Sequence, residues 1–300
     1  MDSAVEEVGV GAMTALAPAK VNLALHVTGQ RSNGYHELDS LVVFAKDGDE
    51  LSLRQSDEDS LVLDGPFGAG LPADRGNLVL RALDFCRGLA AANGVAVPPL
   101  AIHLRKNLPI ASGIGGGSAD AAALIRLLGA AYPDLSPVFR RESLSLGADV
   151  PMCIASLPVR VQGVGEIETP LNGMGGFGMV LANPGHAIST PAAFAGLSRR
   201  SNASLPALPD CGFPAFKGLT DYLLETRNDL EPPALALVPS IADVSDALAK
   251  AGAGFVRMSG SGATVFGLFE TSIEANKASA TIQGAHPDWW VLSTRVRAIP

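Results

Sequence analysis

Apolar residues fall in short blocks or alternate with polar ones along the first third of the chain. This spacing predicts strands at 14–17, 21–28, 40–45, 49–54 and 61–63. The pattern then shifts to a helical period, predicting helices over 77–93 and 119–131 with a strand at 100–105 between them. A short helix around 138–146 and a strand at 160–164 follow. Beyond a glycine-rich break at 172–176, the pattern predicts a strand at 177–182, helical segments near 190–197 and 220–224, and a helix over 239–251. A strand pair closes the readable part, 255–258 and 264–269, joined by Ser259-Gly260-Ser261-Gly262-Ala263. The order is α+β rather than a regular βαβα alternation. Residues 1–13 look like a disordered acidic leader, and no motif is legible in the tail from Glu270.

Composition narrows the class. At 300 residues the chain suffices for one large or two modest domains, and the break at 172–176 is the candidate boundary or hinge. Apolar residues at 47% and charged residues at 17% describe a globular protein with a full core. A net charge of −8 argues against a nucleic-acid partner, and a polyanionic ligand must then meet local cations, dipoles or a metal ion. The three cysteines, Cys86, Cys153 and Cys211, form no CxxC pair, which points to a reducing compartment. The acidic start does not resemble a secretory signal. The long uncharged run at 169–198 is broken by Pro170, Pro184 and Pro191, so no membrane span is expected and the cytoplasm is the default.

The densest signal is Pro109-Ile110-Ala111-Ser112-Gly113-Ile114-Gly115-Gly116-Gly117-Ser118-Ala119, a glycine-rich loop entering an alanine-rich helix. Glycines let the backbone approach a ligand closely. The first N–H groups of the helix have no intrahelical acceptor, and its positive dipole end faces the loop. Together these features suit a phosphate. A P-loop needs Lys followed by Ser or Thr after the last glycine, and Ser118-Ala119 fails that test. A dinucleotide loop needs G-x-G-x-x-G directly after a strand, but Ser118 stands at the third glycine position and Lys106 to Pro109 intervene. A nicotinamide-linked dehydrogenase is therefore a remote reading.

Four segments, in order, resemble the GHMP kinases. They are Ala17-Pro18-Ala19-Lys20-Val21-Asn22-Leu23, the run from Gly29 to Leu38 containing Gly34-Tyr35-His36, the glycine loop followed by Gly147-Ala148-Asp149-Val150-Pro151, and Met258 to Phe266. The likeness spans about residues 14–270. The first two segments are similar to the branch whose acceptor is 4-diphosphocytidyl-2-C-methyl-D-erythritol. The resemblance implies a two-domain fold, with an N-terminal ribosomal-protein-S5-like domain over 14–171 and a C-terminal ferredoxin-like α/β sandwich over 172–300. It also implies ATP with Mg²⁺, and transfer of the γ-phosphate to the acceptor's 2-hydroxyl.

The resemblance extends to individual residues. Asp149 corresponds to the catalytic aspartate and Lys20 to the catalytic lysine. Asn77, Leu78, Lys106 and the loop from Pro109 to Ala119 lie on the ATP side, with Ser118 at a phosphate or a Mg²⁺ ion. Tyr35 and His36 resemble the cytidine-reading pair, with Phe194 on the other side of the base and Thr190 beside it. Asn22 holds the acceptor end, and Gly260, Ser261 and Gly262 bring a second close-packed turn. One departure is Ser118-Ala119-Asp120, where the family often has Ser-Ser-Asn. An extra acid near a triphosphate is unfavourable unless it meets a cation or points away. Two rival functions stay open: another GHMP kinase with a different small alcohol, or a catalytically inactive nucleotide sensor on the same fold. Oligomeric state is not legible.

Overall fold

A computed structural model describes residues 11–299. The expected leader falls mostly outside them, and Met13 already opens the first strand. Two strands are longer than the pattern predicts: β1 spans Met13–Gln30 and β2 spans His36–Gln55. The gaps left at 18–20 and 46–48 are filled, because the two strands press together at Pro18 and Gly48. A Cβ on Gly48 would collide with the Ala17 carbonyl and lie 2.7 Å from the Pro18 Cα.

The chain forms two compact units that interleave along the sequence. One takes the described residues up to Ala19, with 48–110 and 116–155; the other takes 20–47, 111–115 and 156 onward. These units do not follow the sequence break near 172. The glycine-rich segment there is packed rather than open: Gly175 N–H donates to Phe213 O at 2.7 Å, and Ile299 N–H to Met174 O at 2.7 Å.

In the first unit, β3 (Ser60–Asp64) runs parallel to β4 (Leu100–Arg105), and β4 pairs antiparallel with residues 50–55 of β2. Four helices follow: α1 (Leu78–Ala92), α2 (Gly116–Ala131), α3 (Ser136–Glu142) and α4 (Val150–Ala155). Helix α2 packs against the other three. Its alanines admit close neighbours on nearly every side, and Ala119 through Ile125 are all buried. Asp120 lies within that run, so its charge has to be answered inside the unit.

In the second unit, residues 38–42 of β2 pair with β5 (Val159–Gly163), which pairs with β6 (Ile167–Pro170). A second, antiparallel sheet has the order β10 (Trp290–Val296), β7 (Phe177–Asn183), β9 (Val265–Phe269), β8 (Phe255–Met258). Every residue of β7 and β9 is buried. That explains their continuous apolar runs, where a half-exposed strand would alternate. Helices α8 (Ser240–Lys250) and α9 (Ser272–Ala285) pack on this sheet. Short helices α5 (Thr190–Ala195), α6 (Phe216–Leu224) and α7 (Glu231–Leu237) complete the unit.

The tail is therefore structured. Its sequence carries a capping box, Thr271 with Glu274, whose two reciprocal bonds start α9. Helices α4 and α7 and strand β6 also lack a counterpart in the sequence pattern, being too short to show a period. The mixed helix and sheet order agrees with the α+β expectation. No helix of the described residues is long and apolar enough to cross a membrane.

Candidate active site

In the second unit two glycine turns interlock backbone to backbone. Gly113 has φ +79°, a region that favours glycine. A Cβ there would collide with the Ser259 carbonyl and lie 2.7 Å from Gly262 N. Gly260 is the reciprocal case, with φ +55°, and its Cβ would lie 2.6 Å from Gly113 O. The Ser259 hydroxyl donates to Gly113 O at 3.0 Å, and Thr264 N–H donates to Ser112 O at 3.1 Å. Ala111, at φ +50°, is held by Ile188 N–H donating to its carbonyl at 3.0 Å. The 259–263 turn between β8 and β9 is thus the floor of the 111–115 loop.

Lys20 and Asn22 sit beside this floor on β1. Lys20 N–H donates to Ile114 O at 3.0 Å, and a Cβ on Gly115 would lie 3.0 Å from Lys20 Cε. The aliphatic stem of Lys20 therefore runs along the loop. Asn22 N–H donates to the Ser259 hydroxyl at 3.1 Å, and its side-chain Nδ2 donates to Ser40 Oγ at 2.8 Å. Its Oδ1 is buried and has no partner. A buried amide oxygen left unmatched is costly, and a ligand donor would satisfy it.

Two residues central to this architecture escaped the sequence reading as site residues. Ser259 links both turns. Asn228 donates to Met258 O at 2.9 Å and to Gly260 O at 2.8 Å, clamping the floor from below. Asn228 stands in a featureless Arg-Asn-Asp stretch and carried no local signal.

The aromatic residues lie in the same unit. His36 and Phe194 stack face to face, with ring centroids 4.5 Å apart. That contact leaves no room for a base between them, so a base meets the pair from an outer face or parts it. His36 Nε2 has no partner, and loss of water around the ring, helped by Arg200, lowers its pKa from the ordinary value. The ring is thus a neutral group with one open nitrogen. Tyr35 is 63% exposed. Thr190 Oγ1 lies 3.1 Å from Ser261 Oγ, joining the start of α5 to the second glycine turn.

In the first unit, α2 begins at Gly116 directly after the loop, so Gly116, Gly117 and Ser118 present first-turn N–H groups. Lys106 Nζ is buried between two carboxylates, bonded to Asp49 Oδ2 and, at 2.7 Å, to Asp120 Oδ2. Burial pushes the Asp120 carboxyl up to about 7 against the pull of Lys106, while its two carboxylate partners outweigh burial and raise the Lys106 ammonium. This resolves the sequence departure at position 120: the extra acid points at Lys106. The Lys106 ammonium is therefore committed to the protein. Asn77 caps α1, accepting from Val79 N–H at 3.0 Å and donating to Pro72 O at 2.9 Å, and Leu78 is the first helical residue. Asp149 is half-buried immediately before α4, and its carbonyl accepts from Cys153 N–H at 3.1 Å. No cluster of three or more His, Cys, Asp or Glu side chains among the described residues could hold a metal ion.

Comparison with known proteins agrees with this architecture. The sequence profile of the GHMP kinases N terminal domain matches residues 77–156, and that of the GHMP kinases C terminal region matches 216–287. A 4-diphosphocytidyl-2-C-methyl-D-erythritol kinase from Mesorhizobium japonicum is 49% identical over 288 residues, covering 95% of this chain and 96% of its own. One of the same name from Paracoccus denitrificans is 52% identical over 279 residues, covering 93% and 94%. The crystal structure of a 4-(cytidine 5'-diphospho)-2C-methyl-D-erythritol kinase superposes with a TM-score of 0.75 at 31% identity, covering 95% of this chain and all (100%) of that one. A homoserine kinase from Cytophaga hutchinsonii shares the fold, with a TM-score of 0.69 at 19% identity over 96% of each chain. With interlocked glycine turns at the 111–115 loop and near-full-length identity of about one half, the chain belongs to the 4-diphosphocytidyl-2-C-methyl-D-erythritol kinase family of GHMP kinases.

Proposed function

We propose that this kinase transfers the γ-phosphoryl group of ATP to the 2-hydroxyl of 4-diphosphocytidyl-2-C-methyl-D-erythritol, giving the 2-phosphate and ADP. The observation that carries the reading is the glycine floor. Gly113 and Gly260 hold two turns in contact, as a backbone phosphate cradle needs, with Lys20 laid along the loop. Phosphoryl transfer asks for alignment, charge neutralisation and a base for the attacking hydroxyl. The loop N–H groups and the first turn of α2 bind the phosphates. Asp149 accepts the hydroxyl proton, a role worth roughly 10²–10⁴-fold in rate. Lys20 supplies positive charge where negative charge develops. Asn22 Oδ1 accepts from the acceptor's hydroxyl, which satisfies its orphaned oxygen.

His36, with Tyr35 and Phe194, reads the cytosine, and Thr190 and Ser261 hold the same end of the substrate. Asn77, Leu78 and the backbone at Lys106 lie on the adenine side. Mg²⁺ takes mostly water and phosphate oxygens, so it enters with the nucleotide and needs only Ser118 from the chain. The setting is the cytoplasm.

The test is ADP release with Mg²⁺-ATP and the cytidine compound, with mevalonate and homoserine as controls. Turnover with the cytidine compound alone supports the reading, and turnover with a control alcohol overturns the assignment of Tyr35 and His36. Lys20→Ala and Asp149→Asn are expected to lose at least 100-fold in kcat while retaining the fold. Near wild-type turnover in either would remove that residue from the mechanism.

A further inference from the structure

Away from the glycine turns, the second unit holds a cavity of about 350 Å³. Its lining includes Lys46 on β2, Arg295 and Arg297 at the end of β10, and Ser272 at the start of α9. It shares no residue with the site described above. Arg295 is in β10 and Arg297 lies just past its end, and both line this one cavity. Lys46 lies close enough that both guanidiniums, after loss of water, depress its ammonium below the ordinary value against the opposing pull of Asp47.

Like charges brought together oppose folding unless an anion answers them. The chain answers them only in part here. None of the three cations makes an ion pair among the described residues. Asp47, next to Lys46, offsets part of this charge, and its Oδ2 also accepts from the Thr294 hydroxyl at 2.6 Å. Glu270 is the one carboxylate in the lining, leaving three cations against one anion in a chain whose net charge is −8. The capping box satisfies Thr271 N–H and Glu274 N–H, so the N–H groups of Ser272 and Ile273 keep the orphan status of a helix first turn. Two guanidinium forks with an ammonium suit the oxygens of a phosphate rather than a single carboxylate.

We propose that this cavity binds a phosphate- or pyrophosphate-bearing small molecule, at a second anion site separate from the glycine loop. Three cations against Glu270 and the neighbouring Asp47 leave the cavity net positive, and an anion balances it.

The test uses the full chain and inorganic pyrophosphate in EDTA, by calorimetric titration and thermal melting. Wild type is compared with Arg295→Gln and Arg297→Gln, and ATP affinity is measured on each protein to show that the loop is intact. The expected result is at least a tenfold loss of pyrophosphate affinity in each variant, with ATP affinity within twofold of wild type. Without pyrophosphate, Arg297→Gln is expected to melt at or above the wild-type temperature, because repulsion is relieved. With pyrophosphate the order reverses. Equal pyrophosphate affinity in all three proteins, or no binding to any, would overturn the proposal. So would a lower melting temperature of Arg297→Gln in the absence of the anion, since the cation would then be serving the fold.

Discussion

Replacing Lys106 with Met is the most direct probe of the first unit. Lys106, Asp49 and Asp120 are all almost completely buried, so solvent screens them little. Removing one partner of a buried ion pair costs about 3–5 kcal/mol, because it strands the opposite charge. Here two carboxylates are stranded, and they are not equal. Asp49 Oδ1 keeps two main-chain donors, Asn107 N–H at 2.6 Å and Leu108 N–H at 2.9 Å. Asp120 has Lys106 at Oδ2 and no partner at Oδ1. Most of the cost thus falls on Asp120, which must take up a proton at pH 7.5 once the lysine that holds it down to about 7 is gone, and Lys106→Met should lose about 4 kcal/mol. Adding Asp120→Asn spares the chain that proton uptake and should restore about 2 kcal/mol, the scale of an unsatisfied buried group. Urea unfolding at pH 7.5 followed by far-UV circular dichroism measures this. A loss below 1 kcal/mol in Lys106→Met, or no recovery with Asp120→Asn, would refute the reasoning.

Three further outcomes follow from the same geometry. Gly113→Ala forces a side chain into φ +79° and against the Ser259 carbonyl. The backbone strain alone is about 1–2 kcal/mol, and ADP release should fall by at least 100-fold while melting drops only modestly. His26 is held neutral, its Nδ1–H donating to Ala203 O at 2.9 Å and its Nε2 accepting from Arg227 N–H at 3.1 Å. Burial lowers its pKa from 6.5, with Arg227 adding to the shift and Asp229 opposing it, so the unfolded chain takes up the proton first. Stability is then expected to fall as pH drops through about 6.5 toward the lowered value, and a melting series from pH 8 to 5 should show a flatter slope for His26→Gln. Arg257 donates to four acceptors: Leu23 O, Thr226 Oγ1, Leu223 O and Thr226 O. A lysine has no fork to reach them, so Arg257→Lys should cost about 2–3 kcal/mol in urea unfolding.

Much of the fold was legible in the sequence where the signal is local. The strand 100–105 and the strand pair around Ser259 to Ala263 emerge where the pattern puts them. Local alternation and turn chemistry suffice for such elements. The long strands β1 and β2 were read as fragments, because Pro18 and Gly48 look like breaks until the other strand is present to require them. Helix α9 carried its capping box openly, yet its small, weakly periodic residues concealed it.

The candidate site divides the same way. The glycine loop, Lys20, Asn22, His36 and Asp149 are visible as motifs, since close backbone approach and charge each demand a particular residue type. What only the tertiary structure decided is which partners those residues meet. Asn228 clamps a turn about thirty positions away. Ser259 bonds a carbonyl 146 residues back. The acid at position 120, which looked adverse to a triphosphate, answers a lysine instead. A sequence displays residue types and local spacing, whereas a hydrogen bond or ion pair depends on distances of about 3 Å, and those exist only once the chain has folded.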